Sequence, residues 1–213
     1  MKRTLPDDEL LYLAGTEELT EKVQARFVPY FLHAPGLVLE IGCGKGVMLS
    51  MLKEKGIQAY GIDLSDTTVK YCQEKGLDVK QSDLLSHLRS LKDGSLGGIF
   101  CAHVIEHLHP SDAIEFLSQA VRVLKTKSRL VLITPNTKDL RTTERFWLDI
   151  THVRPYPEKL LRVLLQREGF QSIHAFADKE PARNIYERII KTLVHYWFLG
   201  YMFVGDLVIV AER

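Results

Sequence analysis

Three glycines at alternating positions, Gly42, Gly44 and Gly46, stand in the run Glu40-Ile41-Gly42-Cys43-Gly44-Lys45-Gly46. An apolar stretch precedes the run and a helical pattern, Val47-Met48-Leu49-Ser50-Met51-Leu52, follows at once. Glycines let the backbone turn tightly and let a ligand approach without meeting a Cβ, and a helix N-terminus leaves free N–H groups beside them. The spacing separates the ligands. A dinucleotide fingerprint needs G-x-G-x-x-G, whereas here the third glycine comes one residue early and an acid, Glu40, precedes the turn. A Walker loop needs Ser or Thr after its lysine, and Lys45 is followed by Gly46. Two more acids follow strand candidates. Asp63, in Tyr60-Gly61-Ile62-Asp63-Leu64-Ser65, is placed to accept both hydroxyls of a ribose, and Asp83, in Gln81-Ser82-Asp83-Leu84, to accept from an exocyclic amine or to cap a helix. Three such sites at successive strand ends point to the edge where open α/β sheets bind ligands.

A second group of reactive side chains is His103-Val104-Ile105-Glu106-His107, which also spells H-x-x-E-H, an inverted zinc-peptidase motif. That motif works on a helix. Here His103 comes immediately after a strand candidate, so the two histidines would not share a helical face, and no metal is expected. A long connection, Thr143-Glu144-Arg145-Phe146-Trp147-Leu148-Asp149-Ile150-Thr151-His152-Val153-Arg154-Pro155-Tyr156, carries Trp, His, Arg and Tyr, and long loops above a strand's C-terminal end are where substrates meet a scaffold. The plainer alternative is that Trp147 is core and that Asp149, His152 and Arg154 tie the loop down.

The elements that must hold these residues are read from hydrophobic period, which switches repeatedly between strand-like and helix-like from residue 37 onward. Strands are predicted at Leu37–Ile41, Gln58–Ile62, Asp78–Gln81, Gly98–Ala102, Arg129–Thr134, Phe170–Ala177 and Asp206–Ala211, mostly continuous apolar runs, as expected when helices cover both faces. Helices fill the gaps. One runs from about Ser111, a candidate N-cap, to Lys125. Another starts at Pro157, turns Leu160, Leu161, Leu164 and Leu165 inward, and ends at Gly169. Residues 5 to 33 read as one or two helices, giving an N-terminal helical cap over 1–34 before an α/β domain over 35–213. The segment 184–204 carries Ile185, Ile189, Leu193 and Trp197 at helical spacing and then turns nearly all apolar. It reads first as a helix packed on the sheet, with an aromatic surface for a lipid, a membrane interface or a second subunit as the other option. A spanning helix needs ~20 apolar residues, and this run falls short.

The chain has 213 residues, 46% hydrophobic and 26% charged, which excludes disorder and disulfide scaffolds. Its 28 Lys and Arg nearly cancel 27 Asp and Glu, so no global field draws it to nucleic acid or to an anionic membrane. Cys43, Cys72 and Cys101 lie far apart with no C-x-x-C pair, and acids stand where a signal peptide needs an apolar run, so a reducing, cytoplasmic location is expected.

The chain resembles the class I S-adenosylmethionine-dependent methyltransferases, most closely the small-molecule type 11 group, over roughly residues 36 to 135. Glu40-Ile41-Gly42-Cys43-Gly44-Lys45-Gly46 matches that family's E-x-G-x-G-x-G, Asp63 its ribose-binding acid, and Ser82-Asp83-Leu84 its adenine-binding turn. Ile99-Phe100-Cys101-Ala102-His103-Val104-Ile105-Glu106-His107-Leu108 matches the fourth strand and the loop after it, and Val121-Arg122-Val123-Leu124-Lys125 with Leu130-Val131-Leu132-Ile133-Thr134-Pro135-Asn136 matches the next helix and strand. The resemblance implies a Rossmann-like, seven-stranded, mostly parallel sheet with helices on both faces and an antiparallel last strand. It implies S-adenosylmethionine held by Glu40, Gly42, Cys43, Gly44, Gly46, Asp63, Leu64, Ser82, Asp83, Leu84, Ala102, His103 and His107. Two departures show. Gly97-Gly98 replaces the Asp that often starts strand four, and Lys125-Thr126-Lys127-Ser128 replaces a Lys-Pro-Gly-Gly turn.

Residues 146–155 also resemble an F-W-x-D-x-T-H-x-R-P pattern of methyltransferases from cell-envelope glycan or lipid pathways, which implies Trp147, His152 and Arg154 on the acceptor side; Asn136, after the fifth strand, is expected there too. The expected reaction is one in-line displacement of the sulfonium methyl onto a small-molecule, glycan or lipid-linked acceptor, favouring oxygen. For a hydroxyl acceptor, His107, His103 and His152, in that order, are candidates to take its proton. A nicotinamide-dependent oxidoreductase and a non-catalytic binding protein of the same fold are the alternatives.

Overall fold

A computed structural model of the chain describes residues 16–178, 185–198 and 204–213. The strands are β1 (Val38–Ile41), β2 (Ala59–Asp63), β3 (Val79–Gln81), β4 (Leu96–Ala102), β5 (Leu124–Thr134), β6 (Ser172–Asp178) and β7 (Asp206–Glu212). They are hydrogen-bonded in the order β3-β2-β1-β4-β5-β7-β6. β1 pairs parallel with β2, and β2 with β3, while β7 runs antiparallel to β6 with Ser172 opposite Glu212 and Asp178 opposite Asp206. This is the mostly parallel, seven-stranded, Rossmann-like sheet expected above, flanked by helices. The helices are α1 (Glu17–Gln24), followed by a 3-10 stretch over Ala25–Phe31, then α2 (Val47–Glu54), α3 (Asp66–Glu74), α4 (Leu84–Ser90), α5 (Pro110–Val123), α6 (Leu140–Leu148), α7 (Glu158–Glu168) and α8 (Ile185–Trp197).

The chain forms two compact units. The first holds residues up to Phe100 together with Arg122–Arg129. Its strand β1 is buried along its whole length, which is why Val38-Leu39-Glu40-Ile41 shows no alternation. The Gly97-Gly98 departure has a packing cause here. A Cβ on Gly97 would lie 2.5 Å from the Gly36 amide nitrogen, and one on Gly98 would lie 2.7 Å from the Phe31 ring, which stands edge-on to Phe100. The other departure, Lys125-Thr126-Lys127-Ser128, falls inside β5 rather than in a turn before it. Lys125 Nζ donates to the Pro35 carbonyl, Lys127 sits at a left-handed φ of 64°, and the buried Ser128 hydroxyl has no hydrogen-bond partner.

The second unit holds residues Cys101–Val121 and Leu130–Arg213. Its fold departs from expectation in three local ways. Ser111 is not the N-cap of α5, because the helix begins at Pro110 and the Ala113 amide donates to the His109 carbonyl. Pro157 is the cap of α7 rather than its first helical residue, and only Leu161 and Leu165 of its four leucines are buried; Gly169 does end it, at φ 106°. α8 has no buried residue. Its apolar side chains, Trp197 among them at 83% exposed, stand in solvent instead of packing on the sheet. Residues 5–15 of the N-terminal helical region and 199–203 of the aromatic run lie outside the described residues.

Candidate functional site

In the first unit the loop after β1 is shaped by Gly42, Gly44 and Gly46, at φ 67°, 49° and 70°, a region that costs any residue with a Cβ about 1–2 kcal/mol. Gly46 caps α2 without a side chain, so Glu40 supplies the acceptor: its Oε2 takes the Leu49 amide at 3.2 Å. Burial pushes the Glu40 carboxyl well above the ordinary carboxylate range; Leu49 opposes this, and Cys72 and Asp63 add to it. Asp63, at the end of β2, accepts from the Gly44 amide through Oδ2 and from the Ser65 amide through Oδ1, both at 3.0 Å. A carboxylate offers about four acceptor positions, so two remain for a ligand. Loop and acid are thus locked together before any ligand arrives.

The remaining first-unit candidates gather round the same edge. The Ser82 amide donates to the Asp63 carbonyl at 3.0 Å, and the Leu64 side chain is 70% exposed, a free apolar surface for a planar ring. Asp83 caps α4, its Oδ1 accepting the Ser86 amide at 2.9 Å, while Leu84 is buried. Cys43 of the loop and Cys72 of α3 are both buried, and the Cys72 thiol donates to the Gly44 carbonyl at 3.2 Å. Among the described residues, a Cβ on Gly44 would meet nothing within 4 Å, whereas one on Gly46 would strike Leu77 and Cys72.

In the second unit, Ala102 ends β4 and His103 follows at φ 54°, tied by its amide to the Ile133 carbonyl. That left-handed residue turns the chain into a single 3-10 turn, Ile105–His107, so the H-x-x-E-H run is not on an α-helix. Glu106 is fully buried; Oε2 accepts from the Thr134 hydroxyl at 3.1 Å and Oε1 faces His103 Nδ1 at 3.3 Å. The other nitrogen of His103 lies 3.4 Å from Asp206. Crowding of the ring disfavours its charge, but Asp206 and Glu106 outweigh it and lift its pKa to about 10. Half of the side chain is exposed, so solvent tempers that pull.

His107 is differently placed. Burial lowers its pKa, with Glu106 acting against that. Its Nδ1 lies 2.9 Å from the Thr151 hydroxyl, which donates to Asp149 at 2.6 Å; the network therefore assigns the proton to Nδ1 and leaves Nε2 a bare acceptor. For Asp149, burial opposes the charge, yet the Thr151 hydroxyl and amide hold the carboxyl below its usual range. The Val153 and Arg154 amides both donate to the Glu106 carbonyl, which carries His152 to His107, ring centroids 4.6 Å apart. His152 stacks on buried Phe146 and its Nδ1 lies 2.6 Å from the Phe146 carbonyl, so its Nε2 is also left bare. One donor atom each of Glu106, His107 and His152 falls within 4.8 Å of the others.

On the acceptor-side candidates, Trp147 is 63% exposed and the buried aromatic is its neighbour Phe146, so the core role suggested for the tryptophan belongs to Phe146. Arg154 lies over the Tyr156 ring, 5.3 Å from its centroid. Asn136 is buried and accepts the Lys138 amide at 3.1 Å. The structure adds Thr151, Asp149, which the sequence offered only as a residue that ties the loop down, and Asp206, which sequence reasoning did not select. The spacing Asp149-x-Thr151 of an Asx turn was a signal for the first two; nothing local marked Asp206, which comes from β7.

A family model described as a methyltransferase domain matches residues 12–175. The chain is similar to the crystal structure of a SAM-dependent methyltransferase from Archaeoglobus fulgidus, with a TM-score of 0.82 and 29% identity over 94% of this chain and 96% of that one. It is 28% identical over 136 residues to a protein of Mycolicibacterium smegmatis named a probable S-adenosylmethionine-dependent methyltransferase, covering 63% of this chain and 51% of the relative. It is 26% identical over 137 residues to a ubiquinone biosynthesis O-methyltransferase of Methylococcus capsulatus, covering 62% and 55%. The chain thus spans about half the length of the curated relatives it matches.

Proposed function

The chain belongs to the methyltransferase-domain family, and from that premise we propose that it transfers the sulfonium methyl of S-adenosylmethionine to an oxygen of a small-molecule, glycan or lipid-linked acceptor. The observation that carries this is the loop of three left-handed glycines whose Gly44 amide is bound to Asp63. The carboxylate keeps two acceptor positions for the ribose hydroxyls, exposed Leu64 and the Ser82-Asp83 turn take the adenine, and the loop backbone takes the methionine part. The cofactor supplies the electrophile, so the protein's task is to hold it, hold the acceptor and deal with the acceptor's proton.

That last task falls to the Nε2 edge of His107 and His152, since both Nδ1 atoms are spent on Thr151 and Phe146. His103 drops behind them, because carboxylates engage both of its nitrogens. Trp147 and Arg154 border the acceptor. A relative named for O-methylation supports oxygen as the accepting atom.

The test is calorimetric titration with S-adenosylmethionine, its demethylated product and NAD. The first two should bind and NAD should not. Asp63→Ala should weaken binding by about 1.5–3 kcal/mol, roughly 10- to 150-fold in Kd. Unchanged affinity in that variant removes Asp63 from the site, and binding of NAD alone replaces the proposed reaction with a hydride transfer.

A further inference from the structure

We infer that Glu106, His107 and His152 form a binding site for a divalent transition-metal cation of the zinc, cobalt or manganese type. The sequence sets metal aside because His103 and His107 do not share a helical face, and in the structure the run is a 3-10 turn in which the two nitrogens of His103 face the carboxylates of Glu106 and Asp206. The donor set it assembles is a different one. Val153 and Arg154 are hydrogen-bonded to the Glu106 carbonyl, and this backbone tie brings His152 in to join His107 and Glu106, with one donor atom from each within 4.8 Å.

Three features make these donors a ligand set rather than a chance group. First, each histidine has its Nδ1–H held by an outer acceptor: Thr151, itself anchored on Asp149, for His107, and the Phe146 carbonyl for His152. That is the outer shell by which proteins fix a metal-ligating imidazole, leaving Nε2 with its lone pair outward. Second, the two rings lie side by side, centroids 4.6 Å apart, with a donor atom of each within 4.8 Å of the other, so one cation can reach both. His152 Nε2 is 3.9 Å from the Asp149 carboxylate, too far for a hydrogen bond, and an acceptor in any case. Third, the carboxylate of Glu106 is fully buried, and among the described residues its partners are the Thr134 hydroxyl and the His103 ring, so lone pairs remain for a cation. Two imidazoles and one carboxylate suit zinc and its neighbours in the first transition row and disfavour calcium or magnesium, which take oxygen.

Three protein ligands leave coordination positions open, and an acceptor oxygen is the ligand they would take. This deepens the proposed methyl transfer and rests on it for that role: a cation-bound hydroxyl is more acidic and would release its proton to water, so with the cation bound the two Nε2 atoms serve as ligands and not as the base. Cation binding itself does not depend on that reading.

The experiment uses the tag-free full chain, stripped with EDTA and titrated with Zn²⁺, Co²⁺ and Mn²⁺ in the absence of any cofactor. One cation should bind per chain, and the Co²⁺ form should show a visible absorption band of a low-coordinate nitrogen and oxygen site. His107→Ala and His152→Ala should each weaken binding at least tenfold, and Thr151→Val, which removes only an outer partner, by a smaller factor; His33→Ala, an exposed control, should change nothing. Should a histidine variant melt early, the wild-type Co²⁺ spectrum decides instead: a spectrum no different from that of hydrated Co²⁺ overturns the site. So does binding that survives the double variant His107→Ala/His152→Ala. Because the cofactor titration of Asp63→Ala is read separately, failure of the cation site and failure of the methyl-transfer reading are told apart.

Discussion

At the scale of single residues, the glycine loop in the proposed function divides its work between ligand and fold, and the division is measurable. Gly44 and Gly46 both need a left-handed φ, but their surroundings differ: open space at the first, Leu77 at 2.5 Å and Cys72 at 3.0 Å at the second. Gly44→Ala should cost only the backbone strain of about 1–2 kcal/mol in stability, yet should weaken S-adenosylmethionine binding at least tenfold, because its methyl enters the space left for the ligand. Gly46→Ala adds overpacking of a buried contact to the same strain and should cost about 2–4 kcal/mol. Urea denaturation with calorimetry on the two variants checks this, and equal stability losses would refute it. The loop was legible in the sequence because its logic is local, three glycines at fixed spacing with an acid before them. The histidine site was legible only as a list. His103, His107 and His152 were named, but the partnership of His152 with His107 depends on backbone bonds from Val153 and Arg154 to Glu106, and the rejection of His103 depends on Asp206. Neither long-range contact leaves a mark in local spacing.

At the scale of elements, all seven strands were foreseen, most plainly the buried apolar run of β4 and the buried middle of β7, whereas the errors collect at helix ends. Ser111 sits two positions and Pro157 one position from where the cap rules placed them, shifts that those rules do not resolve. β5 is the more informative miss. It starts at Leu124 instead of Arg129 and runs through Lys125-Thr126-Lys127-Ser128, where the resembling family turns with Lys-Pro-Gly-Gly. The backbone nevertheless keeps a left-handed residue at Lys127, φ 64°, and buries the Ser128 hydroxyl without a partner. The glycine geometry has survived without the glycines. Lys127→Gly should therefore stabilise the protein by about 0.5–1 kcal/mol, the relief of left-handed strain less the entropy glycine adds to the unfolded chain. Ser128→Ala should also stabilise, by about 1 kcal/mol, by removing an unpaired buried hydroxyl. A fall in the urea midpoint for either variant would show that the segment is held by something other than these two costs.

At the scale of the whole molecule, periodicity foretold an α/β domain and the motif resemblance a methyltransferase fold, but neither foretold where apolar surface would remain. α8 was expected to pack on the sheet and instead exposes Ile185, Tyr186, Leu193, Tyr196 and Trp197, since helical spacing reports that a face is apolar and not what covers it. No helix among the described residues is long and apolar enough to cross a membrane. Global stability offers the most direct check on the cofactor, because a ligand that binds only the folded chain stabilises it by RT ln(1 + [L]/Kd), about 2.7 kcal/mol at a hundredfold excess over Kd. For a chain of 213 residues each kcal/mol raises the melting temperature by about 2–4 °C, so saturating S-adenosylmethionine or its demethylated product should raise Tm by about 5–10 °C. NAD at the same concentration should leave Tm unchanged, since the third glycine of the loop stands where a dinucleotide fingerprint does not place it. In Asp63→Ala the shift produced by S-adenosylmethionine should shrink at fixed concentration by the 1.5–3 kcal/mol that the carboxylate contributes to binding, leaving only a remnant of it. A full shift in that variant would mean that the cofactor is held elsewhere, and an equal shift with NAD would mean that the loop does not discriminate by its spacing.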